Sequence, residues 1–509
     1  MLRPFLGLAL MACAPADPDR VPLDTDAGTH RERADAVPPG GNILLIVVDD
    51  MGVDKVAAYG VTAFDLHTPN MDALVADGIR FDNAWAMPYC GPSRAALQTG
   101  RYVRRFGLGS NVSVTESEAE LDPGQVTIAE VAAMSTWFTY DTSFAGKWHL
   151  STYASASGVA GALVQGWAWY AGALGNLNKW EGANPVGSPG YYLWQKVEDD
   201  GAIVESTTYA TTDTADDAIG RIQSMTEPWI LQVAFNAAHA PYEAPPQDLV
   251  VDPIPETGSG KERERLMVEA LDTEIGRVLA ALTDDVRSRT NILLIGDNGT
   301  PHTVAEDEID DDRAKGTVYE PGVHVPFVVQ GPLVSTPGSV SSALVHVVDV
   351  LPTVADIVGV NLATLPSVLD AASPMAIDGK SIVPLLGRPG MRSPHQVLYT
   401  ELFGPSGPGP YHTDLRAIRS QGYKLVVDDL NGLEQFFAYT VGSTDEGLDL
   451  LPCGLDAEQQ AAYDVLSARM DEARTSLTFD AVWTAEVPED VEPVETPLLQ
   501  DIGCVVPEA

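Results

Sequence analysis

Tyr89-Cys90-Gly91-Pro92-Ser93-Arg94, with Thr99-Gly100-Arg101 five residues further on, is the part of this chain best able to do chemistry. A lone cysteine ordinarily reads as a small buried hydrophobe. Here Gly91 and Pro92 suit a strand-to-turn-to-helix junction, which would set the Arg94 guanidinium one helical turn behind the sulfur. Asp49-Asp50 and Asp297-Asn298 close two apolar runs and offer hard oxygen ligands only. Calcium favours such a set, whereas zinc wants histidine or thiolate. An Asp-Asp pair after a strand is weak by itself; two such ends in one chain are stronger. Lys147 and His149 lie in Gly146–Leu150, His239 in Asn236–Tyr242, and Lys315 heads the stretch to Val323. A Lys-x-His pair is often only surface, but histidine can be tuned to donate a proton near neutrality.

These groups need a frame that brings distant segments together. Gly41–Asp50 and Thr290–Gly299 are near copies: an unbroken apolar run ending in polar ligands. Continuous apolar strands are covered on both faces, as in parallel sheets flanked by helices, and ligands collect at the carboxyl ends of such strands. Trp229–Phe235 and Val325–Gln330 are further buried runs, alternating with helical patterns at 70–77, 213–223 and 262–282. The pattern predicts an α/β fold with a large doubly wound, mixed and mostly parallel sheet. After a Pro/Gly-rich connection over 379–394, short strand-like pieces at 397–402, 415–418, 423–428 and 434–439 predict a small antiparallel sheet, with a helix over 458–477 against it. The expected division is a segment 1–13, a linker 14–40, a catalytic domain 41–390, and a smaller α+β subdomain 391–509 with an acidic tail.

The string Cys-x-Pro-Ser-Arg-x-x-x-x-Thr-Gly-Arg resembles the signature of the type I sulfatases of the alkaline-phosphatase superfamily. The resemblance runs roughly from Asn42 to Leu450. It takes in Gly146–Leu150, the His-x-Pro of His239-Ala240-Pro241, and Lys315 ahead of Tyr319-Glu320-Pro321-Gly322. It implies hydrolysis of a sulfate ester. Cys90 is then converted to formylglycine by a maturation enzyme, and its hydrated aldehyde is the nucleophile, forming a covalent sulfo-enzyme intermediate. Asp49, Asp50, Asp297 and Asn298, with an oxygen at position 90, hold one Ca2+, or Mg2+ in its place. Lys147 and Lys315 hold sulfate oxygens, His149 accepts the diol proton, His239 protonates the leaving alcohol, and Arg94 joins the catalytic set one helical turn behind the nucleophile. A gem-diol suits this reaction: a sulfated serine would need a second attack, whereas the second diol hydroxyl expels sulfate by re-forming the aldehyde. Two departures from the family pattern are Ser151, where glycine is usual, and Pro321, which replaces one glycine of Tyr-Glu-Gly-Gly.

The chain has 509 residues, 45% hydrophobic and 20% charged, with a formal net charge of −42. That balance argues against a nucleic-acid partner and fits a highly solvated surface. An anionic substrate then needs a locally positive pocket, and two of only eight lysines are Lys147 and Lys315. Residues 1–12 are short, basic and apolar, and Leu10-Met11-Ala12-Cys13 resembles a bacterial lipobox. The expectation is an exported protein, periplasmic or anchored in the outer membrane through lipid on Cys13, or else freely secreted. Export permits a disulfide, and Cys453 and Cys504 are the remaining pair. Trp167, Trp169, Tyr170, Trp180, Tyr191, Tyr192 and Trp194 could stack on a substrate or simply pack. Two other readings stay open: a formylglycine-dependent phosphonate monoester or phosphodiester hydrolase, and a non-catalytic protein that binds sulfated glycans. The substrate is a sulfated small molecule or glycan, with aryl, carbohydrate and choline sulfates all open. Oligomeric state is not legible from these residues.

Overall fold

The computed structural model describes residues 40–481, except 63, 65, 112, 116, 183, 184, 252, 254, 256, 368–373, 441, 442 and 444. Cys13, the N-terminal segment with nearly all of the linker, Cys504 and the acidic tail therefore lie outside the described residues.

In chain order the strands are β1 (Asn42–Val48), β2 (Ile79–Trp85), β3 (Asp141–Gly146), β4 (Trp169–Ala171), β5 (Trp194–Val197), β6 (Ile203–Ser206), β7 (Trp229–Ala234), β8 (Thr290–Gly296), β9 (Phe327–Gln330), β10 (Ser339–His346), β11 (Leu398–Gly404), β12 (Thr413–Arg419), β13 (Tyr423–Asp428) and β14 (Leu433–Ala438). Eight of them build one sheet in the order β10-β2-β9-β8-β1-β7-β3-β4. Every pairing is parallel except those of β9, which runs antiparallel to both β2 and β8. β1 shows why an unbroken apolar run belongs at its centre. Ile43, Leu45 and Val47 enter the core on one face, and Leu44, Ile46 and Val48 enter it on the other. Side chains alternate along a strand, so both faces must be covered. Helices Pro69–Ala76, Ala210–Ser224 and Gly260–Ala280 cover one face through Leu74, Ala215 and Leu271. Helices Cys90–Thr99, Ile128–Ala133 and Val350–Val358 cover the other through Leu97, Val131 and Val354.

The C-terminal strands form a separate antiparallel sheet, β11-β12-β13-β14. Helix Ala457–Ser476 buries Leu466 and Met470 in a cluster with Ile418, Leu425 and Phe436. A third apolar cluster joins the two sheets: Trp85 and Leu344 from the large one meet Leu402, Leu415, Val426 and Phe437 from the small one. Within this seam a fully buried carboxylate, Glu320, accepts from Arg419 Nη1 at 2.5 Å, Trp85 Nε1 at 3.0 Å and the Tyr439 hydroxyl at 3.0 Å. Pro321, the departure noted above, sits in the first turn of the short helix Glu320–Val323. No backbone N–H is required there, so proline fits. Among the described residues no helix is long and apolar enough to cross a membrane.

Candidate active site

Register places the polar residues. Val48 of β1 lies beside Gly296 of β8, so Asp49-Asp50 and Asp297-Asn298 emerge side by side. On the other flank Val47 pairs with Ala234 of β7, and Ala234 with Gly146 of β3. Four neighbouring parallel strands thus deliver the metal-type acids, the His239 loop and the Lys147–His149 loop to one carboxyl edge, where α/β sheets bind ligands. Cys90 comes from the strand-to-helix junction after β2, as the first residue of helix Cys90–Thr99. Lys315 comes from the loop ahead of β9.

The side chains converge. Cys90 Sγ is buried, 3.6 Å from Asp50 Oδ1 and 3.4 Å from Lys315 Nζ. Lys315 is ion-paired with Asp50, and Lys147 with Asp49. Arg94, one turn behind the sulfur, donates through Nε to Asp297 Oδ2 at 3.0 Å and through Nη1 to the Lys147 carbonyl at 2.7 Å; Nη2 lies 3.6 Å from Asp49 Oδ2. Asp297 Oδ1 also accepts from the Asp50 amide at 3.1 Å, and Asn298 Nδ2 donates to Asp50 Oδ1 at 2.9 Å. His239 Nε2 stands 3.7 Å from Asp50 Oδ2. His149 is buried with Nδ1 unpartnered. All ten residues singled out from the sequence therefore belong to one constellation.

Two features of the site had no sequence signal. Asp50 and His149 both have φ of 60°, and they are the non-glycine residues in the left-handed region among those described. Such a backbone is costly for ordinary residues and persists where its surroundings impose it. At Asp50 it accompanies a carboxylate 3.6 Å from Cys90 Sγ. The aromatic run resolves into packing: Trp167, Tyr170, Tyr191 and Trp194 are all core, and Phe144 meets Trp148, Trp167 and Tyr170 edge-on. Only Tyr192, 40% exposed, is a large exposed hydrophobic in that run.

Charge balance sets the protonation states. Burial alone would raise Asp49, but Lys147, Arg94 and further cations outweigh it and hold it well below the usual carboxylate range. Asp297, raised first by burial and then by the Asp49 charge, sits at about 7. Burial, then Lys147 and Arg94, push His149 well down, which keeps it a neutral base. His239 is lowered by burial, with Asp50 opposing. Burial and the Asp49 charge push the Cys90 thiol well up, so an unmodified cysteine here is a poor nucleophile.

The residues fit a hard divalent cation. Ligand atoms of Asp49, Asp50, Cys90 and Asp297 lie within 4.8 Å of one another. Buried Asp49 Oδ1 and Asn298 Oδ1 have no donor. Buried acceptors left unpaired are costly, and an oxygen-coordinated ion is one way to satisfy them.

The comparisons agree with this fold and site. The sulfatase family profile matches residues 41–360. Human arylsulfatase A is 32% identical over 414 residues, covering 76% of this chain and 75% of that protein. The ulvan-active sulfatase of Formosa agariphila is 27% identical over 78% of this chain and 67% of its own. The crystal structure of Ps i-CgsB in complex with k-i-k-neocarrahexaose superposes with a TM-score of 0.70 at 23% identity, covering 88% of this chain and 95% of that one. The chain belongs to the sulfatase family. It is a sulfuric ester hydrolase, cleaving sulfate esters.

Proposed function

We propose that this sulfatase works through formylglycine at position 90 and one bound Ca2+, with Mg2+ as the alternative ion. The observation that carries the reading is the meeting of Cys90 Sγ with Lys315 Nζ at 3.4 Å and Asp50 Oδ1 at 3.6 Å at a helix start. As a thiol the group is poorly placed to ionise; after oxidation by a formylglycine-generating enzyme and hydration, residue 90 supplies a gem-diol that attacks sulfur and later expels sulfate, passing through a covalent sulfo-enzyme. The cation, held by Asp49, Asp50, Asp297 and Asn298, would supply positive charge that eases diol deprotonation and draws charge from the sulfate. Lys147 and Lys315 bind the sulfate oxygens, which gives this acidic protein its positive pocket. Neutral His149 takes the diol proton as the aldehyde re-forms. His239 gives a proton to the leaving oxygen as its bond to sulfur breaks.

The substrate is a sulfate monoester of a glycan or other small molecule. The ulvan-active relative and the neocarrahexaose complex support a sulfated glycan. The enzyme is exported, with Cys13 as its lipid anchor. The lipobox-like Leu10–Cys13 supports this, as does the engagement of Cys453 in a disulfide, a bond that persists in oxidising compartments. A panel of sulfated oligosaccharides, aryl sulfates and aryl phosphonates, assayed with protein whose conversion at position 90 is verified, tests the function. Faster turnover of phosphonate than of every sulfate ester would overturn it.

A further inference from the structure

Tyr191 lies outside the set of groups that touch the substrate, yet its hydroxyl is bound to the backbone of one of them. The phenol is fully buried, and its oxygen lies 2.7 Å from the Asn236 carbonyl and 2.8 Å from the His239 carbonyl. Asn236 and His239 are the two ends of one turn, closed by the His239 amide donating to Asn236 O at 2.9 Å. Carbonyls only accept, so a single phenolic hydrogen is shared across the turn. Tyr191 itself is firmly mounted. Its amide donates to the Glu243 carboxylate, and its carbonyl accepts from Ala210 at the start of helix Ala210–Ser224, at 2.9 Å. Its ring packs 5.3 Å from that of Tyr209.

The far end of the same turn fixes the imidazole. His239 Nδ1 is 2.6 Å from the Ala240 carbonyl, which again can only accept, so Nδ1 carries a hydrogen and Nε2 is the end that faces the site, 3.7 Å from Asp50 Oδ2. Turn, ring and Nε2 therefore move as one body, and Tyr191 clamps that body to a helix. We propose that Tyr191 is a positioning residue for proton delivery: its hydroxyl holds the turn that aims His239 Nε2 into the site. The inference rests on His239 being the proton donor of the proposed mechanism. In that step His239 acts as the imidazolium, protonated on both nitrogens: its Nε2–H bond breaks, the proton passes to the bridging oxygen as its bond to sulfur breaks, and the ring keeps the electron pair as neutral imidazole with its hydrogen on Nδ1. Phenylalanine would fill the same volume in the core, so the hydroxyl serves the turn.

The test is a plot of log kcat/KM against the acidity of the leaving phenol for a series of aryl sulfates. Good leaving groups need no proton, so a misaimed donor is felt most by poor ones. Tyr191→Phe should stay within about threefold of wild type on 4-nitrophenyl sulfate and lose about 10- to 100-fold on the least acidic phenol, part of the 10²–10⁴ that a general acid supplies. His239→Ala should be steeper still. Tyr209→Phe, a phenol lost from the same aromatic pair without contact to the turn, should run parallel to wild type. Glu243→Ala loosens the mount of Tyr191 from a half-buried position and should steepen the plot in the same direction, which keeps the inference testable should Tyr191→Phe not fold. A uniform loss for Tyr191→Phe across the series, or a Glu243→Ala line parallel to wild type when the phenylalanine variant cannot be read, overturns the positioning role. A His239→Ala line parallel to wild type removes the proton-donor assignment, and this inference with it.

Discussion

Glu320→Gln probes how the small sheet is locked onto the catalytic one. Glu320 is fully buried, and its carboxylate takes Arg419, Trp85 and Tyr439, with Lys424 Nζ at 3.6 Å. Burial by itself raises its pKa, but Arg419, Lys424 and His324 outweigh burial and pull it from 4.5 to about 2. At about 1.4 kcal/mol per pH unit, that gap corresponds to about 3 kcal/mol of native-state stabilisation. A depressed acid stabilises fully above its unfolded value, and the contribution is lost as pH falls from about 4.5 through about 2. Glutamine keeps one oxygen acceptor but removes the charge, leaving the buried Arg419 cation without a carboxylate partner, a change that costs about 3–5 kcal/mol at neutral pH. Because wild type surrenders its own advantage in acid, the difference between the two proteins should shrink by about 2 kcal/mol between pH 6 and pH 3. Denaturant unfolding of both at several pH values measures it, and taking the difference cancels the many other carboxylates. A difference that stays constant over this range would refute the assignment of Glu320 as the charged partner of the seam.

Asp297→Ala should lose bound calcium by elemental analysis together with turnover, and calcium should restore chelated wild type; stoichiometric zinc with no response to calcium would contradict the oxygen-ligand site. Lys315→Ala, which removes the ammonium 3.4 Å from residue 90, should lower kcat by about 10²–10³; a change confined to KM would show it contributes only to ground-state binding. Cys453 is disulfide-bonded, and pairing with Cys504 would close a loop of about 50 residues worth at most about 4 kcal/mol. Non-reducing peptide mapping should recover that pair, and a link from Cys453 to Cys13 would refute it.

The fold was legible wherever burial on both faces left an unbroken apolar run, as in β1, β7 and β8, and wherever period changed cleanly, as in β13 and helix Gly260–Ala280. β2 and β10 escaped notice because they mix exposed and buried positions: Arg80 and Asp82 punctuate one, and Ser339, Val340 and Ser342 leave the other half-exposed. The ten site residues were found through matched strings. What brings them together was not visible, because strand register and the positive φ of Asp50 and His149 are properties of the folded chain. Tyr191 is the instructive case. As one aromatic in a cluster it carried no signal, and only its hydroxyl on the His239 turn separates it from Tyr170, whose hydroxyl bonds the Ala173 carbonyl at 3.0 Å.

If residue 90 reacts as formylglycine, turnover must follow its conversion, and a paired measurement decides it. Mass spectrometry of the peptide carrying Tyr89–Arg94 is run on the same preparations whose sulfate-ester turnover is measured, matured to different extents. Sulfur should be lost from position 90, the rate should rise in proportion to the converted fraction, and Cys90→Ala should be inactive. Full turnover by protein whose Cys90 is entirely thiol would contradict it.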